Sequence, residues 1–268
     1  MPRFAANLSL LYNEHPFVER FSAAAEDGFA AVEFLFPYAF DAQTLRQQLD
    51  KHALKQVLFN ASPGNWEAGE RGLACLKGRE KEFQSSIVQA LSYAQTLDCQ
   101  RIHVMAGIPP CGQDREEVED IYCRNIQWAA QKAHQVGVDI LIEPINTRDM
   151  PGYFLNYQAD AHRLIENMNA PNIKVQMDLY HCQIMEGDIA TKIRRYLPTG
   201  RVGHIQIAGV PLRNEPNFGE LNCSHIFEVL DEVASACNWL GWIGCEYRPV
   251  LGEAPGATSR GLEWLKNI

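Results

Sequence analysis

The chain has 268 residues, of which 46% are hydrophobic, 10% aromatic and 21% charged. These proportions are those of a globular protein, so a disordered tail, a collagen-like repeat and a coiled coil are excluded. The 24 Lys and Arg residues are outnumbered by 33 Asp and Glu residues, and the net charge of −9 disfavours nucleic acid or an anionic membrane surface as the main partner.

Eight short segments along the chain have the composition of buried β-strands. They are residues 4–8, 31–34, 56–59, 101–105, 139–143, 174–178, 202–207 and 242–246. Several are rich in Val, Ile and Phe, and most are continuous apolar runs rather than alternations of apolar and polar residues. Such runs are typical of a parallel sheet that is covered by helices.

Longer segments with helical periodicity separate these strands. The clearest has apolar residues at positions i, i+4, i+7, i+8 and i+11, namely Phe83, Ile87, Ala90, Leu91 and Ala94. Asp41 and Asp114 are placed to cap two further helices at their N-termini. Helical patterns also follow Ser224 and Ser259.

The alternation of strands and helices predicts the fold class. Eight strand–helix units in this length indicate a single α/β domain over residues 1–268, a closed (β/α)8 TIM barrel, with an open doubly wound sheet as the alternative. The sequence lacks GxGxxG, GxxxxGK[ST] and GxSxG patterns. Dinucleotide binding, P-loop nucleotide hydrolysis and α/β-hydrolase chemistry therefore lose their usual support.

Targeting and redox features point to a cytoplasmic protein. The first residues contain no long apolar stretch before a cleavage-type site, and no run of about 18 apolar residues occurs elsewhere. The eight cysteines include no CxxC pair and no compact zinc-ligand spacing. We expect them to be mostly small buried thiols, and we expect no membrane segment.

Polar residues end the last four predicted strands. They are Glu143, Asp178, Gln206 and Glu246. In a barrel, catalytic side chains come from the carboxyl ends of the strands, and three carboxylates buried around one cavity would be costly without compensation. A divalent cation would compensate them, and an all-oxygen ligand set favours Mg²⁺ or Mn²⁺ over zinc. The alternative for each acid alone is a helix N-cap or a salt bridge.

These strand ends lie within longer, distinctive blocks of sequence. The blocks include VEFLFPY (32–38), LIEPINTRDMPGY (141–153), MDLYHCQIMEGD (177–188), GHIQIAG (203–209) and GWIGCEYRP (241–249). On these blocks, and over nearly the whole chain, the sequence resembles the hydroxypyruvate isomerase family of the xylose-isomerase-like TIM barrels. The 2-oxo-tetronate isomerases are close relatives that share part of the same blocks.

The resemblance implies an activity and roles for the strand-end residues. Glu143, Asp178, Gln206 and Glu246 would be the metal ligands, and Glu143 and Glu246 would also be the acid/base pair. The implied reaction converts hydroxypyruvate into tartronate semialdehyde by moving a proton from C3 to C2 through an enediolate. The alternatives are a 2-oxo-tetronate isomerase and a ketose 3-epimerase, although the related epimerases usually carry His at the position of Gln206.

Several further residues are candidates for contacts with the substrate or the ligands. His181 follows Asp178 by three residues and is expected to contact a substrate oxygen. Arg213 is the first candidate for the substrate carboxylate, and the alternatives are Arg71, Arg79 and Arg148. Two buried groups are expected to play supporting roles: Glu33 would orient a ligand or an arginine, and His204 would be a packed, hydrogen-bonded core group.

Two other classes of function compete with the isomerase. DNA-repair endonucleases share this kind of barrel, but they need a zinc cluster with several His ligands and a basic groove. A non-catalytic sugar-acid binding protein is the other alternative, and it would not need both Glu143 and Glu246. The expected partner is thus a small hydroxy-oxo acid rather than nucleic acid or a membrane. Association into a homo-oligomer is compatible with the sequence, which identifies no interface.

Overall fold

The computed structural model describes residues 2–267, and these form a closed barrel of parallel strands. The strands are β1 (Phe4–Asn7), β2 (Ala31–Phe34), β3 (Lys55–Asn60), β4 (Arg101–His103), β5 (Asp139–Ile142), β6 (Ile173–Asp178), β7 (Val202–Ile207) and β8 (Ile243–Cys245). Each strand pairs with its neighbours in chain order, and β8 closes the barrel by pairing with β1. The predicted (β/α)8 fold class is confirmed.

Helices cover the outside of this barrel. They are α1 (Arg20–Glu26), α2 (Ala42–Lys51), α3 (Glu80–Leu97), α4 (Arg115–His134), α5 (Gln158–Met168), α6 (Leu179–Met185), α7 (Ile189–Tyr196), α8 (Cys223–Cys237) and α9 (Ala257–Gly261). Short 3₁₀ helices span Phe17–Glu19, Pro37–Ala39, Leu197–Thr199 and Leu262–Asn267.

The helix starts show which capping predictions hold. The Asp41 carboxylate accepts hydrogen bonds from two backbone N–H groups in the first turn of α2, and Asp114 accepts one from the Glu116 N–H in α4, so both N-caps are confirmed. Ser224 lies inside α8, because Asn222 caps this helix two residues earlier. Ser259 lies within α9 rather than before it.

The remaining sequence expectations concern cysteines and membranes. All eight cysteines are free thiols, and Cys75, Cys99, Cys182, Cys223 and Cys245 are buried, which agrees with the prediction for most of them. Among residues 2–267, no helix has both the length and the apolar character that crossing a membrane requires.

Candidate active site

The carboxyl ends of the strands surround a cavity of about 520 Å³. Its polar lining comes from the ends of β3 to β8 and the loops after them, and consists of Asn60, Arg71, His103, Glu143, Asp149, Gln176, Tyr180, His181, Arg213, Glu246 and Arg248. This is the end of a (β/α)8 barrel at which catalytic side chains lie.

Three of the four predicted metal ligands are carboxylates that meet at this cavity. One side-chain oxygen each of Glu143 and Asp178 and one ring nitrogen of His181 lie within 4.8 Å of one another, and all three residues are buried. The Arg213 guanidinium forms a short ion pair with Glu246 and lies 3.6 Å from Asp178 Oδ2. Glu246 therefore joins the same group from the side of β8.

Burial and mutual repulsion make full ionisation of these carboxylates unfavourable. Burial raises the pKa of Glu143 well above its usual range, and the charges of Asp178 and Glu246 raise it further. Burial also raises the pKa of Glu246 to about 8, although Arg213 opposes this shift. One guanidinium thus compensates three carboxylates only in part, and additional positive charge at this position would favour their ionised forms.

Asp178 is both a helix N-cap and a candidate cation ligand, which are the two roles that the sequence left open. Its Oδ1 atom accepts hydrogen bonds from the backbone N–H groups of Tyr180 and His181, so the carboxylate caps α6. Its Oδ2 atom has no hydrogen-bond partner among the described residues, and the same holds for Oε1 of Glu143. These two buried oxygens are free to bind a divalent cation, so the donor set fits Mg²⁺ or Mn²⁺.

Gln206 is the fourth predicted ligand, and both polar atoms of its side-chain amide are hydrogen-bonded to buried side chains. Its Nε2 donates a hydrogen bond to Glu33 (2.7 Å), and its Oε1 accepts one from Gln176 Nε2 (2.6 Å). Because the Glu33 carboxylate can only accept, this contact fixes which end of the amide carries the oxygen. Glu33 also lies 2.6 Å from His204 Nε2, so His204 is the packed, hydrogen-bonded core group that was predicted. Glu33 orients Gln206, and its role toward a ligand stays a prediction.

The space for Glu33 depends on a glycine in β8. A Cβ atom added at Gly244 would lie 2.3 Å from Glu33 Oε2. We expect Gly244→Ala to lower the free energy of unfolding by about 1–3 kcal/mol, because the buried network must move. Urea denaturation checks this, and the loss should be smaller in a Glu33→Ala background, where the clashing carboxylate is absent. Equal losses in both backgrounds would contradict the clash.

The hydrogen bonds around His181 assign its tautomer. Asn146 Oδ1 accepts from the backbone N–H of Asp149 (2.8 Å), so its Nδ2 group faces His181 Nδ1 at 2.6 Å. Nδ1 is therefore an acceptor, and the proton is on Nε2, 3.6 Å from Asp178 Oδ2. Burial lowers the pKa of His181 well below its usual range, so the ring is neutral. In this form His181 presents an Nε2–H donor at the cavity, and its Nε2 would bind a cation only after losing that proton.

The structure separates the four candidate arginines. Arg213 and Arg71 line the cavity, whereas Arg79 and Arg148 are not among its lining residues. Arg79 is paired with Glu70 and Glu82, so it braces the loop before α3. Arg148 is exposed.

Some residues that line or support the site are not among those predicted from the sequence. Gln176 lies two residues before Asp178 on β6, and this spacing on a strand places both on one face. Arg248 follows β8 and lines the cavity. His103 ends β4, and its Nε2 is 3.4 Å from Glu143 Oε2. The signals available for them were the strand end for His103 and Arg248 and the shared strand face with Asp178 for Gln176.

Comparison with known proteins agrees with this geometry. Residues 21–268 match the family model described as xylose isomerase-like TIM barrel. The chain belongs to this family. The resemblance stated from the sequence blocks is therefore confirmed.

Relatives within the xylose isomerase-like TIM barrel family are named as isomerases. The chain is 56% identical to a 2-oxo-tetronate isomerase from Cupriavidus necator, with 99% of this chain and 98% of that protein covered. It is 38% identical to the hydroxypyruvate isomerase of Escherichia coli, with 99% and 98% covered.

A solved structure with the same fold is named for a different activity. The crystal structure of "AP endonuclease, family 2" from Brucella melitensis superposes with a TM-score of 0.93 at 49% identity, covering 100% of this chain and 99% of that one.

Proposed function

We propose that this protein is an isomerase that moves the carbonyl group of a small hydroxy-oxo acid between neighbouring carbons. The observation that carries the proposal is the convergence of Glu143 and Glu246, which follow β5 and β8, on one cavity. Asp178 lies beside Glu143, and Arg213 joins Asp178 to Glu246. Two carboxylates on different sides of a bound substrate can remove a proton from one carbon and return it to the next. The names of the curated relatives support this class of reaction.

Two kinds of oxo acid have the functional groups that the proposed isomerisation requires. Hydroxypyruvate and the 2-oxo-tetronates both have a carbonyl at C2 and a hydroxyl at C3, and the tetronate adds one hydroxymethyl group. The sequence blocks favour hydroxypyruvate, whereas the 56% identity to a 2-oxo-tetronate isomerase favours the four-carbon acid. We put 2-oxo-tetronate first, because this identity is higher than the 38% to the hydroxypyruvate isomerase.

Glu143, Asp178 and Glu246 would hold a Mg²⁺ or Mn²⁺ ion, and Gln206 would be the fourth ligand through the second lone pair of the Oε1 atom that already accepts from Gln176. The unpaired oxygens of Glu143 and Asp178 and the repulsion among the three carboxylates support this part of the proposal. When bound, such an ion stabilises the negative charge that develops on the two substrate oxygens.

The protein's own groups would carry out the proton transfers. One glutamate in its ionised form takes the proton from C3, and the electron pair of the C–H bond forms the enediolate. A proton is then delivered to C2, the proton of the C3 hydroxyl passes to the C2 oxygen, and the C3 oxygen becomes the new carbonyl. His181 would donate its Nε2–H to a substrate oxygen on which charge develops. Arg213 would hold the Glu246 carboxylate in place.

A direct assay tests the proposal. The protein with Mn²⁺ should convert 2-oxo-tetronate with a higher kcat/KM than hydroxypyruvate, and in D₂O the product should carry deuterium at C2. The deuterium is expected because the two carboxylates exchange protons with solvent. Glycerate, which lacks the carbonyl, is the negative control. Turnover of neither oxo acid would reject the isomerase.

Phosphodiester cleavage is a second candidate, which the name given to the Brucella structure favours. The net charge of −9 opposes it, because a phosphate backbone needs a basic surface. Incubation with a duplex that contains one abasic site distinguishes the two, since strand cleavage lost on substitution of Glu143 would favour the endonuclease.

A further inference from the structure

We propose that Arg71 binds the carboxylate group of the substrate and thereby makes the enzyme selective for acids over neutral sugars. The inference rests on the proposed function and deepens it, because it assigns the part of the site that recognises the acid. Arg213 was the first candidate from the sequence, but Arg213 is paired with carboxylates of the protein and, within residues 2–267, Arg71 is hydrogen-bonded only to backbone oxygens, which reverses that order.

The positive charge of Arg213 is already compensated by carboxylates of the site. Its guanidinium forms a short ion pair with Glu246 and lies 3.6 Å from Asp178 Oδ2. A substrate carboxylate bound there would compete with protein carboxylates for the same N–H donors. It would also add negative charge to the most acidic part of the cavity.

Arg71 lines the same cavity and has only neutral partners in residues 2–267. Its Nη1 donates to the backbone oxygens of Trp66 (3.0 Å) and Glu70 (2.8 Å). The guanidinium carbon lies 3.7 Å from the centre of the Trp66 ring, so the side chain is stacked and ordered. Nη2 and Nε make no hydrogen bond within the described residues. This arrangement leaves one edge of a fixed guanidinium available for an anion.

The acidic neighbour of Arg71 is turned away from it. The Glu70 carboxylate accepts from Arg79 Nη1 (2.7 Å) and from the backbone N–H of Asn65 (2.5 Å). These contacts lower the pKa of Glu70, and they occupy both of its carboxylate oxygens. Glu70 therefore does not neutralise Arg71.

The backbone beside Arg71 is anchored to the end of β4. Gly72 forms an isolated antiparallel bridge with Ala106, and its N–H donates to the Pro63 carbonyl at 2.9 Å. Gly72 has a φ of 124°, and a Cβ atom there would lie 2.3 Å from the Met105 carbonyl oxygen. Only glycine fits, so the position of Arg71 at the cavity is set by the close approach of two backbones.

Buried polar groups that line the same cavity as Arg71 can complete an anion site. Asn60 and His103 end β3 and β4 and line the same cavity, and both are at least 95% buried. Neither ring nitrogen of His103 has a hydrogen-bond partner among residues 2–267. Leaving such groups unpaired on burial is costly, and a substrate oxygen would relieve this cost. A substrate that contacts both Arg71 and His103 would also lie beside Glu143, because His103 Nε2 is 3.4 Å from Glu143 Oε2.

The test compares two ligands of the same size, of which only one carries the charged carboxylate. Glycerate and its neutral amide, glyceramide, have the same size, and neither has a carbonyl at C2 to isomerise. With Mn²⁺ present, titration calorimetry of the wild-type protein should show glycerate binding more tightly. In Arg71→Met, glycerate affinity should fall roughly 10- to 100-fold while glyceramide affinity stays within about 3-fold, as expected for loss of charge-assisted hydrogen bonds. Arg71→Lys should lie between the two.

The controls separate a binding role from a structural one. Arg148→Met removes an exposed arginine outside the cavity lining and should leave both affinities unchanged. If Arg71 only braced the loop, Arg71→Met would weaken both ligands equally, and this result would overturn the inference. Failure of wild-type protein to bind glycerate would overturn it as well. Neither ligand reacts, so these results are independent of whether either oxo acid is isomerised.

Discussion

Substitution of Glu143 or Glu246 by Gln is expected to lower kcat for the preferred oxo acid by about 10²- to 10⁴-fold, the contribution typical of a general acid or base. Gln has nearly the size of Glu, so packing in the buried site is preserved while proton transfer is lost. Arg213 would lose its ion pair in Glu246→Gln, and that variant is therefore expected to show a raised KM as well.

Two measurements on these variants separate chemistry from binding. Single-turnover rates give the isomerisation step, and NMR in D₂O gives the exchange of the substrate C–H with solvent. Glu220→Gln is the matched control, because Glu220 is exposed and does not line the cavity. Normal exchange in both Glu143→Gln and Glu246→Gln would mean that the base is another group.

The strands and the residues at their ends could be predicted because both depend on local sequence. A buried parallel strand needs a run of apolar residues, so the strand can be recognised in the sequence. A polar residue at the carboxyl end of such a run is then expected to lie at the end of the barrel where catalytic side chains gather. Glu143, Asp178 and Glu246 therefore meet as expected once the barrel closes. The start of α8 was harder to predict, because Asn222 and Ser224 are both favourable N-cap residues. Only the path of the preceding loop decides which of them caps the helix.

The partners of polar side chains could not be predicted, because they come from distant strands. Gln176 contacts Gln206 across 30 residues, and His204 contacts Glu33 across 171. The choice among the arginines has the same origin. Arg79 carries an ion pair with Glu70 that leaves Arg71 without a carboxylate partner, and nothing in the spacing of these residues indicates which of the two is paired.

Removal of divalent cations is expected to abolish turnover, and addition of Mg²⁺ or Mn²⁺ to restore it. The physical reason is the charge balance of the site, where burial and mutual repulsion raise the pKa of Glu143 and Glu246. A bound cation lowers both, so the glutamates return to the ionised state that proton abstraction requires. Unchanged turnover after thorough chelation would reject the metal-assisted mechanism.

Thermal stability provides a readout that does not depend on activity. Because a cation binds the folded state and not the unfolded chain, Mn²⁺ at 100 times its Kd should stabilise the protein by about 2.7 kcal/mol, which corresponds to ~5–10 °C in Tm. Asp178→Asn is the decisive variant. Its amide oxygen can still accept the backbone N–H groups that cap α6, but it replaces the buried carboxylate whose Oδ2 has no hydrogen-bond partner in the described chain. The variant should therefore keep its fold and lose most of the Mn²⁺-dependent shift. An undiminished shift would mean that the cation binds elsewhere and that Arg213 alone compensates the charge of the three carboxylates.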